Sequence, residues 1–369
     1  MITVHTDHVG SLLRPPQLLQ ARTDSAAGRI SPAEFKHVED QAVDEVVKLQ
    51  EETGIDVITD GEFRRLSFQA HMTEAVEGFG AYDINAFLWG EWRGDENVGD
   101  LALERPQNLG VVEKLRRKRH LAVEEFVYLR AQTDGIKKIT LPSPTLWANF
   151  WSPEISSAAY PTLDSFMTDV VKILCEEVQE LVRLGCTYIQ LDAPHYPLLL
   201  DAKTRAFYES RGWTLEKWLQ YGIELDNAVI DAAPRATFGF HLCRGNQGSR
   251  WLVEGGYDLI AKPIFQHIKA HRLLLEYDDE RSGDFAPLAD VPDDKIVVLG
   301  LVTTKTPRRE TVDDLRARIR EASQFVDLAR LALSPQCGFS TSVVGNAITQ
   351  EDERDKLRTI VETARAVWG

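Results

Sequence analysis

Residues 237–246 read Thr-Phe-Gly-Phe-His-Leu-Cys-Arg-Gly-Asn, an apolar run that gives way within two residues to polar and turn-forming side chains. Near-continuous apolar runs of this length are strands buried on both faces, as in a parallel sheet covered by helices. Seven more stand along the chain, at Thr3–His8, Asp56–Thr59, Ile136–Leu141, Thr187–Leu191, Leu273–Tyr277, Ile296–Val302 and Leu331–Leu333. Amphipathic helices lie between them. Ser31-Pro32-Ala33-Glu34 places a capping serine, a first-turn proline and a capping-box glutamate ahead of Phe35, Val38, Ala42, Val46 and Leu49, and Gly54 supplies the stop. The same spacing recurs from Thr162 to Gly185, after Thr311, and through Leu357, Ile360, Val361 and Ala364. Eight strand–helix units predict an α/β fold, a (β/α)8 TIM barrel, and no G-x-G-x-x-G follows the first strand to favour a doubly wound sheet.

The whole chain, 1–369, is expected to be a single catalytic barrel domain. About 75 residues separate the second and third strands, more than one crossover needs. Within them 73–130 reads as an insertion, an extra helical or hairpin segment. Its stretch from Gly78 to Asp100 is rich in Gly and Trp and is expected to fold over the barrel mouth.

A net charge of −15 disfavours a nucleic acid or an anionic membrane as partner. The one basic run, Lys114 to His120, reads as a solvated helix face. The start, MITVHTDHVGSLLRPP, has no charged-then-apolar leader pattern, and no apolar run reaches the length of a membrane span. A cytoplasmic location is the expectation. The four cysteines, Cys175, Cys186, Cys243 and Cys337, are too few for a disulfide scaffold.

The polar residues that stand out follow the strands, at the end of a barrel where active sites are built. They are His8-Val9-Gly10-Ser11, Asp60-Gly61-Glu62, Asp192-Ala193-Pro194-His195, His241-Leu242-Cys243, Glu276 and Cys337-Gly338. His241 and Cys243 are two apart, so both side chains face the barrel axis, and Glu276 and Cys337 arrive from other strand ends. One imidazole, two thiolates and one carboxylate form a zinc-type donor set, since thiolates select zinc over magnesium or calcium. Two thiolate ligands suit activation of an incoming thiol by lowering its pKa. A zinc hydrolase, which keeps a metal-bound water beside a general base, is the alternative reaction class; a noncatalytic zinc or thiol binder is a third reading. Cys175 and Cys186 read as inert.

Carried by His241-Leu242-Cys243, Pro335-Gln336-Cys337-Gly338, Asp60-Gly61-Glu62 and Val9-Gly10-Ser11, the chain resembles the cobalamin-independent methionine synthases, specifically their C-terminal catalytic barrel and its short stand-alone bacterial relatives. The resemblance runs from about His5 to Val367. It implies a barrel of the methionine synthase and uroporphyrinogen decarboxylase type. It also implies zinc held by His241, Cys243, Glu276 and Cys337, a homocysteine carboxylate received at Gly10 and Ser11, and an amino group bound by Glu62 and Asp192. The implied reaction is transfer of a methyl group, usually from 5-methyltetrahydrofolate, to homocysteine, giving methionine. Trp147 and Trp151 follow the third strand and are the expected platform for a flat pterin.

Two features depart from the family pattern. Members that use methylfolate carry D-x-H-S after the seventh strand, with a histidine to protonate the leaving nitrogen. Here Gly300-Leu301-Val302-Thr303-Thr304-Lys305 has no histidine, and Lys305 is the expected acid in its place. The N-terminal half-domain of the long enzymes, which helps hold the polyglutamate tail, is not in this sequence. The alternative within the scaffold is alkylation of another thiol, as in transfer of coenzyme M to epoxides. Glu62 and Asp192 favour an amino-acid thiol, whereas Arg14, Arg64 and Arg65 leave a sulfonate open. Oligomeric state is not legible.

Overall fold

The computed structural model describes residues 1–80, 92–94 and 110–369. Its strands are β1 (Val57–Ile58), β2 (Val76–Gly80), β3 (Gly110–Arg117), β4 (Ile136–Pro142), β5 (Tyr188–Asp192), β6 (Thr237–Leu242), β7 (Arg272–Glu276), β8 (Ile296–Val302) and β9 (Leu331–Pro335). Seven form a curled parallel sheet of order β1-β4-β5-β6-β7-β8-β9, with β6 at its middle. The fold is a (β/α)8 barrel.

The eighth stave is the expected first strand, Thr3–His8, and it is bonded differently from the rest. On one side it continues the sheet: Leu333 N donates to His5 O at 2.8 Å and Asp7 N to Leu333 O at 3.0 Å. On the other side side chains close the ring. Thr6 donates to Asp56 Oδ2 from its backbone N–H at 3.1 Å and from its hydroxyl at 2.7 Å, and Thr59 Oγ1 donates to Gly10 O at 2.7 Å. Thr6 N–H and Gly10 O are thus satisfied without a second ladder.

Strand alternation sorts the two faces of β6. Phe238 and Phe240 are fully buried in the apolar layer between sheet and helices, and each such ring contributes about 1.5–3 kcal/mol by leaving water. Gly239 and His241 face the barrel interior, where Gly239 leaves room for Tyr188: a Cβ there would stand 3.2 Å from the Tyr188 hydroxyl. The helices begin where the caps predict. Pro32–Thr53 has a full Ser31/Glu34 capping box and ends on Gly54 at φ 78°. Leu163–Arg183, Val312–Ala322 and Gln350–Trp368 are capped by Thr162, Thr311 and Thr349.

Within 73–130, β2 and β3 form an antiparallel hairpin, and the helix Val123–Gln132 buries Phe126 and Leu129 against the barrel. The basic run is not a helix face. Lys114 to Arg117 lie on β3 and the rest in the turn after it, because pairing with β2 sets the local geometry. Its charges are met by Asp169, Glu176, Glu74 and Glu77. Most of the Gly/Trp-rich stretch lies outside the described residues. Of its described residues, 78–80 end β2 and 92–94 sit at the barrel mouth, where Arg93 N donates to Trp251 O at 2.7 Å and Trp251 N to Arg93 O at 3.1 Å.

Candidate metal centre

Parallel register brings the strand ends to one level: Asp192 pairs with His241, and Glu276 with Gly300. Around that level His241, Cys243, Glu276 and Cys337 converge, with one ligand atom of each within 4.8 Å of all the others. All four residues are buried.

The geometry of each donor fits a cation. His241 Nδ1 lies 3.1 Å from Leu274 O, so the proton sits on Nδ1 and Nε2 carries the free lone pair. Nε2 and Glu276 Oε2 are both buried and have no hydrogen-bond partner. Cys243 Sγ lies 3.3 Å from Cys337 Sγ and accepts from Gly245 N at 3.2 Å. Contact with Cys337, followed by burial, pushes the Cys243 thiol far above its ordinary range, and the nearby Glu276 adds to this. Two sulfurs, an imidazole nitrogen and a carboxylate oxygen, crowded together, the nitrogen and the oxygen with no other partner, are the donor set of a soft or borderline divalent cation, whose charge offsets that crowding.

A cavity opens above these donors. Its described lining includes Ser11, Glu62, Asp192, His241, Cys243 and Cys337 and contains no Lys or Arg. Glu62 is one of two described non-glycine residues with positive φ, at 59°, a conformation that costs energy for a side chain of this kind. Arg14 helps hold it: its buried guanidinium donates to Glu62 O and Arg65 O on one side, each at 2.9 Å, and to Ser340 O and Ser342 O on the other. Thr140 Oγ1 donates to Glu62 Oε1 at 2.6 Å, leaving Oε2 buried without a partner. Gly10, at φ 145°, allows this approach, since a Cβ there would stand 2.8 Å from Glu62 Oε1. Across the cavity, burial pushes the Asp192 carboxyl up to about 7, a shift opposed by His241 and enlarged by Glu62.

The turn at Gly10-Ser11 touches the loop that carries Cys337. A Cβ on Gly338 would stand 2.0 Å from Ser11 Oγ, so a side chain at 338 would force the Ser11 hydroxyl out of its place. Eight expected site residues, Gly10, Ser11, Glu62, Asp192 and the four metal donors, are therefore brought together. Three are not. Lys305 is buried outside the cavity lining and donates to Asn246 Oδ1 at 3.1 Å and Gly245 O at 3.3 Å, beside the Gln336 amide. Trp147 packs in the core against Phe79, and Trp151 donates through Nε1 to Tyr160 O at 3.0 Å. The aromatic rings on the described cavity wall are Phe68 and Trp92. Neither was legible as such: Trp92 reads only as part of the insertion, and Phe68 stands in a segment with no periodicity. Arg14, Arg64 and Arg65 are all engaged by protein groups, the last two by Glu39, Asp40 and Glu125, with Arg65 also 3.7 Å from Glu62 Oε1, the oxygen that Thr140 holds.

Comparison with known proteins gives the family and the fold. Residues 4–366 match the family model described as the catalytic domain of cobalamin-independent synthase. The chain is 36% identical over 366 residues to Bacillus subtilis YxjG, named only as uncharacterized, covering 98% of this chain and 94% of that protein. A methionine synthase of Pyrococcus abyssi is 28% identical over 342 residues, covering 90% of this chain and 86% of that one. A solved structure from Listeria monocytogenes, provisionally named a vitamin-B12 independent methionine synthase, superposes with a TM-score of 0.74 at 29% identity, covering 100% of this chain and 99% of that one. The chain belongs to the cobalamin-independent methionine synthase family, matching its catalytic-domain model over residues 4–366.

Proposed function

We propose that this chain is a zinc-dependent methyltransferase that carries a methyl group to the sulfur of homocysteine. The observation that supports this most directly is the placing of two carboxylates, Glu62 and Asp192, in a cavity over a two-sulfur metal site whose described lining has no cation. Zinc bound by His241, Cys243, Glu276 and Cys337 would lower the pKa of an incoming thiol and hold it as thiolate at neutral pH.

The chain's own groups do the rest in this reading. Ser11 Oγ and the adjacent backbone N–H receive the amino-acid carboxylate. Glu62 Oε2 and Asp192 grip the ammonium, a pairing that the surrounding burial strengthens. The thiolate attacks the methyl carbon, a new C–S bond forms, and the bond from that carbon to the donor breaks with its electron pair left on the donor atom, which takes up a proton from solvent when that atom is the folate nitrogen. The donor is 5-methyltetrahydrofolate or another methyl carrier. Lys305 supports the Gly245–Asn246 loop in this reading and does not act as the acid. A sulfonate-bearing thiol such as coenzyme M would call for a cation, and Arg14, Arg64 and Arg65 are spent elsewhere.

The test is methionine formation by the zinc-loaded protein from homocysteine and 5-methyltetrahydrofolate, with coenzyme M as the competing acceptor. Methylation of homocysteine alone supports the reading. A preference for coenzyme M, or hydrolytic activity without methyl transfer, contradicts it.

A further inference from the structure

Beneath the cavity the barrel interior holds a chain of polar side chains of which the chemistry above uses only the uppermost, Asp192. Tyr188, Gln190 and Asp192 occupy alternate positions of β5 and so point inward one above the other. At the bottom, Asp7 accepts from the Tyr188 hydroxyl at 2.7 Å and lies 3.3 Å from Arg272 and 2.8 Å from Lys138 Nζ. These groups are all nearly or fully buried.

Lys138 fixes the direction of what lies above it. Its ammonium is a donor only, with three N–H groups, and its partners are Asp7 Oδ1, His8 O and Gln190 Oε1, the last at 2.8 Å. The Gln190 amide must therefore present oxygen downward to Lys138 and NH2 upward; a flipped amide would set N–H groups against the ammonium. Upward, Gln190 Nε2 donates to Val9 O at 2.6 Å and to Asp192 Oδ1 at 2.7 Å. Both targets bear on the substrate grip. Val9 precedes the Gly10-Ser11 turn, and a bond on Oδ1 leaves Asp192 Oδ2 with no hydrogen bond from the described residues.

We propose that Gln190, oriented by Lys138, is a positioning residue that holds the carboxylate-binding turn and the ammonium-binding Asp192 at the spacing of one α-amino acid. The inference rests on the homocysteine reading and deepens it. It explains why an amide and a lysine stand in a barrel interior where apolar side chains would pack more cheaply.

The test uses the full-length zinc-loaded protein and two variants. Gln190→Met keeps the volume and loses both upward bonds. Gln190→Glu keeps an acceptor for Lys138 but, as a carboxylate, has no N–H for Asp192 or Val9. Binding of homocysteine and of propanethiol, which lacks both amino and carboxylate groups, is measured by calorimetry together with zinc content. Both variants are expected to keep their zinc, weaken homocysteine about tenfold or more, and change propanethiol less than about twofold. Equal weakening of both thiols, or loss of zinc, shows a merely structural role and overturns the proposal, as does unchanged homocysteine binding in Gln190→Glu. If the parent protein binds homocysteine no better than propanethiol, the homocysteine reading fails first, before any variant is compared, and the positioning role fails with it.

Discussion

The sulfur of Cys243 lies 3.3 Å from that of Cys337, although 94 residues separate the two in the chain. Strand order produces the contact: β6 and β9 stand three staves apart in one curled sheet, and their ends meet over the barrel axis. Metal binding is therefore expected to depend on both thiols. Cys337→Ser should weaken zinc binding by more than the roughly 10–100-fold that loss of an outer supporting partner costs. Metal analysis after dialysis against a chelator checks this, and full occupancy in the variant would remove Cys337 from the site.

Gly338 and Ser11 form a second coupled pair. Because a Cβ on residue 338 would stand 2.0 Å from Ser11 Oγ, Gly338→Ala is expected to displace the Gly10-Ser11 turn, costing about 1–3 kcal/mol of stability. Ser11→Gly in the same chain should restore the melting temperature while leaving homocysteine binding weak. Recovery of both would show that the Ser11 hydroxyl has no part in holding the substrate.

Lys305 gives a kinetic prediction. With its ammonium bonded to Gly245 O and Asn246 Oδ1 outside the cavity lining, Lys305→Ala should lower the rate with donors that need protonation and with donors that do not by the same factor. A loss confined to the donors that need a proton would make Lys305 the acid after all.

Glu353 supplies a stability prediction with a definite sign. Burial pushes its carboxyl from 4.5 up to about 8, although Oε2 accepts from Leu13 N at 2.7 Å. The folded chain keeps this proton where the unfolded chain has released it. The group's contribution is thus present below the unfolded value and is lost as pH rises through about 8. Glu353→Gln keeps an acceptor for Leu13 and is expected to raise the melting temperature at about pH 8.5 far more than at about pH 5. Equal shifts at the two pH values would show that Glu353 ionises normally.

The strands were legible wherever an apolar run ended in turn residues, and β8 has the expected limits. The four candidate donors could be singled out because sulfur and imidazole at strand ends have few other uses, and the fold brings them within 4.8 Å of one another. Lys305, Trp147 and Trp151 misled for a common reason: position after a strand says where a residue stands, not whether its side chain turns to the cavity or into the packing behind it. The Lys114–His120 run misled because charge patterning does not separate a solvated helix from a solvated hairpin. Gln190 is the instructive omission. It is polar in an otherwise apolar strand and lies two residues before Asp192, so its inward direction was available from alternation alone; its partners, Lys138 and Asp7, come from other staves and needed the fold.

The most direct test of the thiol-activating site is calorimetric titration of the zinc-loaded protein with homocysteine in two buffers of different ionisation enthalpy, which counts protons released on binding. Binding with release of about one proton is the expected result, since a thiol that becomes a thiolate at the site must give its proton to solvent. Binding without proton release, or no binding, would contradict it.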